Sequence, residues 1–196
     1  MITNINQLDF SKKYNYSDYL TWQFKERVEL LKGYIFKMSP APNVRHQRIS
    51  GDIYFELRKF LVDKPCQVFS APFDVRLPLP KEKQKEGKID TVVQPDITVI
   101  CEESKLDEQG CNGAPDLVIE ILSPGNTKKE MKNKLEIYQL AGIPEYWLVD
   151  PEHAFVIIYT LNEQANYIGS IPFTDEDKAR SFILKGFELD LSKVFK

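Results

Sequence analysis

Between Pro115 and Pro151 the chain reads PDLVIEILSPGNTKKEMKNKLEIYQLAGIPEYWLVDP, and this stretch limits the possible folds most tightly. Two short apolar runs, DLVIEIL and EYWLVD, flank residues 125–141, where Met131, Leu135, Ile137, Tyr138 and Leu140 fall on or near one side. Short apolar runs bounded by turn residues read as buried strands, and the periodic segment between them reads as a helix. Ser123, Pro124 and Gly125 make the corner, with Asn126 or Thr127 as the N-cap. A strand, a helix and a strand in this order predict two parallel neighbours joined by a right-handed crossover.

The other segments fit around that unit. Residues 16–31, YSDYLTWQFKERVELL, suggest an N-terminal helix and turn with Ser17 as N-cap. Tyr34 to Met38 alternates as a strand after Gly33 and is closed by the SPAPN loop. In VRHQRISGDIYFELRKFLVD, Ile49, Ile53, Leu57, Phe60 and Leu61 make a helical stripe that ends at Asp63-Lys64-Pro65. CQVFSAP, FDVRLPL, TVVQPDITVI and FVIIYTL read as further strands, with KEKQKEGK and EESKLDEQGCNGAP as polar loops. The segment from Asn166 onward reads as short strands and a terminal turn. The link between TVVQPDITVI and DLVIEIL is too short for a crossover helix of ordinary length. The expectation is an α/β fold, a mixed sheet with helices on both faces. It would be one domain over residues 1–196, with a core of about 16–160 and a β-rich extension over 161–196.

Composition narrows the setting. A hydrophobic content of 42% beside 28% charged residues is enough for a full core. The longest apolar runs fall well short of the ~20 residues a membrane helix needs. The first residues, MITNINQLDFSKKYNYS, lack the apolar segment of a secretion signal, so a cytoplasmic location is expected. Cys66, Cys101 and Cys111 are an odd number without CxxC spacing, which reads as reduced thiols with no zinc site. A net charge of −3 argues against avid non-specific nucleic-acid binding through global charge.

Three acids stand where buried strands should be apolar: Asp96, Asp116 and Glu120. An unpaired buried carboxylate costs several kcal/mol or shifts its pKa until it is neutral, and either a divalent cation or a lysine partner removes that penalty. Side chains alternate along a strand, so 116, 118, 120 and 122 share a face and Leu117, Ile119 and Ile121 point the other way. Asp116 and Glu120 would then be about 13 Å apart, too far for one ion. Glu120 needs a partner from a neighbouring strand, and Asp96 is the natural one. Asp116 reads as structural, capping the loop before its strand.

Pro95-Asp96 followed 24 positions later by Glu120 resembles the PD-(D/E)XK nuclease pattern. More specifically, ELLKGYIFKMSPAPNVRHQRIS, FSAPFDVRL, QPDITVI, PDLVIEILSP and YQLAGIPEYWLVDP are together similar to the Uma-type restriction endonuclease family, long filed as a domain of unknown function. The resemblance runs from about Val28 to Pro151 and continues loosely to the C-terminus.

That resemblance implies a restriction-endonuclease-like fold and a metal-dependent endonuclease acting on DNA. Asp96, Glu120 and the backbone carbonyl of Ile121 would hold Mg²⁺ or Mn²⁺, hard ions that suit oxygen ligands. The superfamily lysine belongs two residues after the glutamate, where this chain has Leu122. Lys134, on the following helix, matches the lysine that the Uma-type sequences carry there, and Lys128, Lys129 and Lys132 are nearby alternatives. Glu29, matching a helix glutamate of related nucleases, would extend the metal site through a water. His46 would contact a phosphate or a metal-bound water, and Asp74 would support the site from behind. Superfamily members that cut duplexes pair two active sites, which implies a homodimer. Two other readings stay open: a nuclease-fold module that binds nucleic acid without cutting it, and a hydrolase of RNA or a smaller phosphodiester.

Overall fold

The computed structural model describes residues 1–38, 42–80, 88–125 and 128–196. The tip at 81–87, residues 39–41 of the SPAPN loop and the Asn126 or Thr127 cap lie outside the described residues.

The chain opens with one helical turn, α1 (Tyr16–Tyr19), and a hairpin of β1 (Val28–Leu31) and β2 (Tyr34–Lys37). This corrects the helix expected over 16–31. Asn15 rather than Ser17 caps α1, its side chain accepting from the N–H groups of Ser17 and Asp18. Lys32 and Gly33 both take positive φ, 53° and 86°, and form the two-residue turn that pairs Leu31 with Tyr34. Residues 28–31 are thereby drawn into a ladder, and Glu29 lies on a strand instead of a helix.

Next come α2 (Val44–Phe60), β3 (Gln67–Ser70), β4 (Val75–Arg76), β5 (Val92–Val93) and β6 (Ile97–Ile100). The run TVVQPDITVI is two strands rather than one. Pro95 has no N–H to give a ladder, and Gln94-Pro95-Asp96 carries the chain from one sheet to another. EESKLDEQGCNGAP, expected as loop, contains a short hairpin of β7 (Leu106–Asp107) and β8 (Gly110–Asn112). After β9 (Leu117–Ile121), α3 (Lys128–Leu140), β10 (Glu145–Asp150) and β11 (Phe155–Leu161), the chain ends in β12 (Tyr167–Gly169), β13 (Phe173–Thr174), β14 (Lys178–Arg180), β15 (Glu188–Asp190) and α4 (Leu191–Val194).

The central sheet runs β12-β11-β10-β9-β6-β3, with β13 also on β11. Among the described residues, only β9 and β10 are parallel in it, joined through α3 as expected. β6 pairs antiparallel with β9, Ile97 facing Ile119, so one step further Asp96 stands across from Glu120. A second sheet runs β2-β1-β5-β4-β8-β7.

Alternation along β9 sorts the layers. Leu117, Ile119 and Ile121 join Trp147 and Val149 against Ile49, Ile53 and Leu57 of α2. Val118, Tyr146 and Leu148 face the other way, against Ile137 and Tyr138 of α3 and Leu31, Val75 and Val93 of the second sheet. Each fully buried aliphatic side chain contributes about 2 kcal/mol of transfer free energy, enough to hold both helices on the sheet. Glu120 shares the α3 face.

The thiols are not all reduced: Cys66 and Cys101 form a disulfide. Each lies one residue outside the β3–β6 ladder, whose last pair is Gln67 and Ile100, so the strands bring them together. Spacing in sequence carries no information about that pairing. Cys111 is free and buried. Among the described residues, no helix is long and apolar enough to cross a membrane.

Candidate active site

Glu29, His46, Asp96, Glu120, Ile121 and Lys134 all line one cleft of about 90 Å³. It opens beyond the carboxyl end of β9, in the corner made by β9, the start of β6 and the first turn of α2. The ends of parallel strands, where crossover connections diverge, are the usual place for a ligand in an open sheet.

The floor is built from backbone geometry. Asp96 precedes β6 and reaches across to β9, where its Oδ2 accepts from the Ile121 N–H at 2.8 Å. The Ile121 carbonyl points back and lies 3.1 Å from His46 Nε2. A carbonyl only accepts, so the ring carries its proton on Nε2. The same nitrogen is 3.4 Å from Asp96 Oδ2. Asn43 places His46 by accepting its backbone N–H at 2.9 Å, the N-cap bond of α2. Burial works against protonating this imidazole, but the hydrogen bond and charge of Asp96 outweigh burial and raise its pKa.

A chain of buried charges forms the wall. Lys134 Nζ donates to Glu120 Oε1 at 2.8 Å and lies 3.1 Å from Glu29 Oε1. Tyr138, one turn further along α3, donates its hydroxyl to the same Glu120 oxygen at 2.5 Å. Gln94 donates its backbone N–H to Glu29 Oε1 at 2.9 Å. Burial pushes the Glu120 carboxyl up to about 7 against the pull of Lys134, and the nearby charges of Asp96 and Glu29 add to the rise. Burial acts against the Lys134 ammonium too, but its two carboxylate partners more than offset it, so its pKa is raised and it stays charged. The Tyr138 hydroxyl is held protonated by burial and by the charge of Glu120.

The six residues singled out from the sequence thus come together. Lys128, Lys129 and Lys132 are exposed, whereas Lys134 is buried at the cleft. Leu122 turns its side chain to the α3 layer. Asp116 stands apart: its Oδ2 accepts from the Cys101 N–H at 2.7 Å and ties the far end of β9 to β6. Asp74 stands behind the cleft and accepts from the Gln94 side chain at 2.7 Å. Tyr138 and Gln94 were missed. Tyr138 had a readable signal, its position four residues after Lys134 on one helix face, whereas nothing in the sequence marked Gln94 except its place beside Pro95-Asp96.

Among the described residues, no group of three or more His, Cys, Asp or Glu side chains is gathered as a metal cluster. The donor set here is different in kind: two carboxylates and a main-chain carbonyl, all oxygen. Among the described residues, the contacts above engage Asp96 Oδ2 and Glu120 Oε1, and the second oxygen of each carboxylate takes no part in them. Glu29, Asp96 and Glu120 outnumber the one buried cation among them, Lys134, so the inner cleft carries an excess of negative charge when all are ionised. A divalent cation fits that set in donor chemistry and in charge.

Comparison with known proteins bears on the family and the fold. The model of the Uma2 family, described as "Putative restriction endonuclease", matches residues 16–192. A crystal structure described as a "putative nuclease belonging to DUF820" from Anabaena variabilis ATCC 29413 superposes with a TM-score of 0.70 at 18% sequence identity. The match covers 93% of this chain and 97% of that one, and it establishes a shared fold. No curated protein sequence matches the chain.

Proposed function

The chain belongs to the Uma2 restriction-endonuclease family, and from that premise we propose that it is a metal-dependent endonuclease that hydrolyses phosphodiester bonds in DNA. The observation that carries the reading is the cleft at the end of β9, where Glu120 is held by Lys134 and Tyr138 on one side and faces Asp96 on the other.

Asp96, Glu120 and the Ile121 carbonyl would hold one or two Mg²⁺ or Mn²⁺ ions. When bound, such an ion acidifies the attacking water and stabilises charge on the phosphoryl oxygens. The chain's own residues prepare that chemistry. Lys134 and Tyr138 restrain Glu120 through a single oxygen, which holds its side chain at the cleft and leaves Oε2 outside those two bonds. Lys134 does from α3 what the superfamily lysine does from the strand, where Leu122 now packs into the core. Its ammonium stays charged at the cleft, positioned to oppose negative charge building on the phosphoryl group. His46 steadies the Ile121 carbonyl by donating from Nε2, and Glu29 keeps Lys134 in place from behind. Cutting both strands with one centre per chain calls for two copies, so a homodimer is part of the proposal, to be checked by sedimentation of the purified protein.

The test is nicking of supercoiled plasmid in Mg²⁺ or Mn²⁺ by the wild type and by Glu120→Ala. Cleavage that disappears in the variant supports the proposal. Cleavage that survives it, or none on any of several DNA substrates, refutes it. One observation favours a second reading, a module that binds nucleic acid without cutting: the Lys134 ammonium is already shared between two carboxylates. Calorimetric titration with Mn²⁺ separates the two, because only the nuclease needs an ion site that Asp96→Asn and Glu120→Gln abolish.

A further inference from the structure

Arg27 lines the same cleft at its exposed rim, two residues before Glu29. Its guanidinium is anchored by a neutral group: Nε and Nη2 both donate to Gln94 Oε1, at 3.0 and 2.7 Å. Gln94 is oriented in turn from behind. Its Nε2 donates to Asp74 Oδ1 at 2.7 Å and lies 3.3 Å from the Tyr19 hydroxyl, which itself lies 3.3 Å from the same Asp74 oxygen. A carboxylate only accepts, so Asp74 dictates that the amide nitrogen faces inward and the amide oxygen faces Arg27.

This arrangement has two consequences. An arginine paired with a carboxylate is neutralised there, but one held by an amide oxygen keeps its full charge for another partner. The Nε–Nη2 edge is occupied, which leaves the Nη1–Nη2 edge as a second planar fork, the geometry that grips two oxygens of one phosphate. Beyond Arg27 the cleft continues into a depression of about 200 Å³ lined by Gln47, Ser50, Tyr54 and Ser70. Arg27, His46 and Asp96 border both spaces, so a chain running from one to the other passes the guanidinium beside the carboxylates. On a protein of net charge −3, a fixed cation at this junction gives a polyanion its favourable approach.

We propose that Arg27 binds a backbone phosphate of the substrate next to the one being cut, and that Asp74 and Gln94 are positioning residues that aim its free edge. The inference rests on the nuclease reading. It also accounts for Asp74, which supports the site through Gln94 and Arg27.

The test is binding of a fluorescently labelled DNA duplex, followed by anisotropy over a salt series with Ca²⁺ present. Arg27→Ala should weaken binding about tenfold and lower the slope of log Kd against log salt by about 1. Arg27→Lys keeps a charge and should keep the slope while losing part of the affinity. Gln94→Leu leaves the charge but unties it, so affinity should fall about threefold with the slope unchanged. Thermal melting by circular dichroism, unshifted in Arg27→Ala, excludes a folding defect. An Arg27→Ala protein that matches the wild type in affinity and slope overturns the inference, as does a loss of affinity with no change of slope. Absence of duplex binding by the wild type overturns it as well. The nuclease reading is judged separately, by whether nicking depends on Glu120, so the inference can fail while that reading stands.

Discussion

Glu120 and Glu145 are both buried acids on adjacent parallel strands, and they have opposite surroundings. Glu145, wholly buried at the start of β10, lies on the α2 face. Its carboxylate accepts from Trp147 Nε1 at 2.6 Å and from the backbone N–H groups of Phe182 and Ile183 at 2.7 and 3.0 Å. All three donors are neutral, and two of them come from the backbone of residues 182 and 183, so the acid fastens the C-terminal segment to the sheet. Glu120, near the end of β9, lies on the α3 face and keeps 12% of its side chain exposed to a cleft. Both its donors meet one oxygen, and two more carboxylates crowd it. Burial alone therefore does not make an acid a candidate; incomplete satisfaction beside like charges and an opening is what sets Glu120 apart from Glu145.

Substitution of the two glutamates should separate them most sharply. Glu120→Gln should lower DNA nicking by at least about a thousandfold, as expected where transition-state electrostatics are lost, with little change in melting temperature. Glu145→Gln should leave nicking in place and destabilise by about 2 kcal/mol, because an amide nitrogen replaces one acceptor oxygen opposite the donors. Chemical denaturation reads the second effect, and equal stability losses in the two variants would break the distinction.

Removing the cation of the wall comes next. Lys134→Met leaves Glu29 and Glu120 buried without their shared partner and should destabilise by about 3–5 kcal/mol, measured by urea unfolding at neutral pH. Metal should act in the other direction. Mn²⁺ at about a hundredfold excess over its Kd should stabilise by about 2.7 kcal/mol, an effect that EDTA reverses and Asp96→Asn removes. Glu145→Gln should retain it.

The same ion should show a pH dependence. A cation needs the ionised Glu120 carboxylate, whose pKa is pushed up to about 7. Mn²⁺ affinity should therefore fall as pH drops through 7, as followed by calorimetry. Without metal the sign reverses. The folded state holds the Glu120 proton more tightly than the unfolded chain, so this group favours folding at low pH and loses that contribution as pH rises toward 7. The smallest effect is expected for Tyr138→Phe, about 1 kcal/mol, with weaker Mn²⁺ binding because Oε1 loses a donor.

Legibility divided along the same lines. The β9–α3–β10 unit was readable because its strands and helix are long enough to display a period. Asp96 was named as the natural partner of Glu120 from a neighbouring strand, and the β6–β9 register sets the two across from each other. β1 was misread because Val28, Glu29, Leu30 and Leu31 are all buried, which erases the alternation that distinguishes a strand from a helix. The second sheet was not legible as a unit: Tyr34–Met38 and FDVRLPL were read as strands, but β4 and β5 are two residues each, too short for any period to show which sheet they join. The disulfide was missed for a related reason, since the cysteines are 35 positions apart and their flanking strands had to pair before the thiols could meet.

By itself, then, the sequence determined the crossover unit, the faces of β9 and, through its resemblance, the residues worth watching, because these depend on local period and residue chemistry. Tertiary structure decided that Lys134, the lysine the resemblance singled out among four, reaches Glu120, that Tyr138 joins it, and that Gln94 holds an exposed arginine at the cleft. Those outcomes depend on how α3 and β1 meet across the α3 face of the sheet, and no local rule encodes a distance between segments a hundred residues apart.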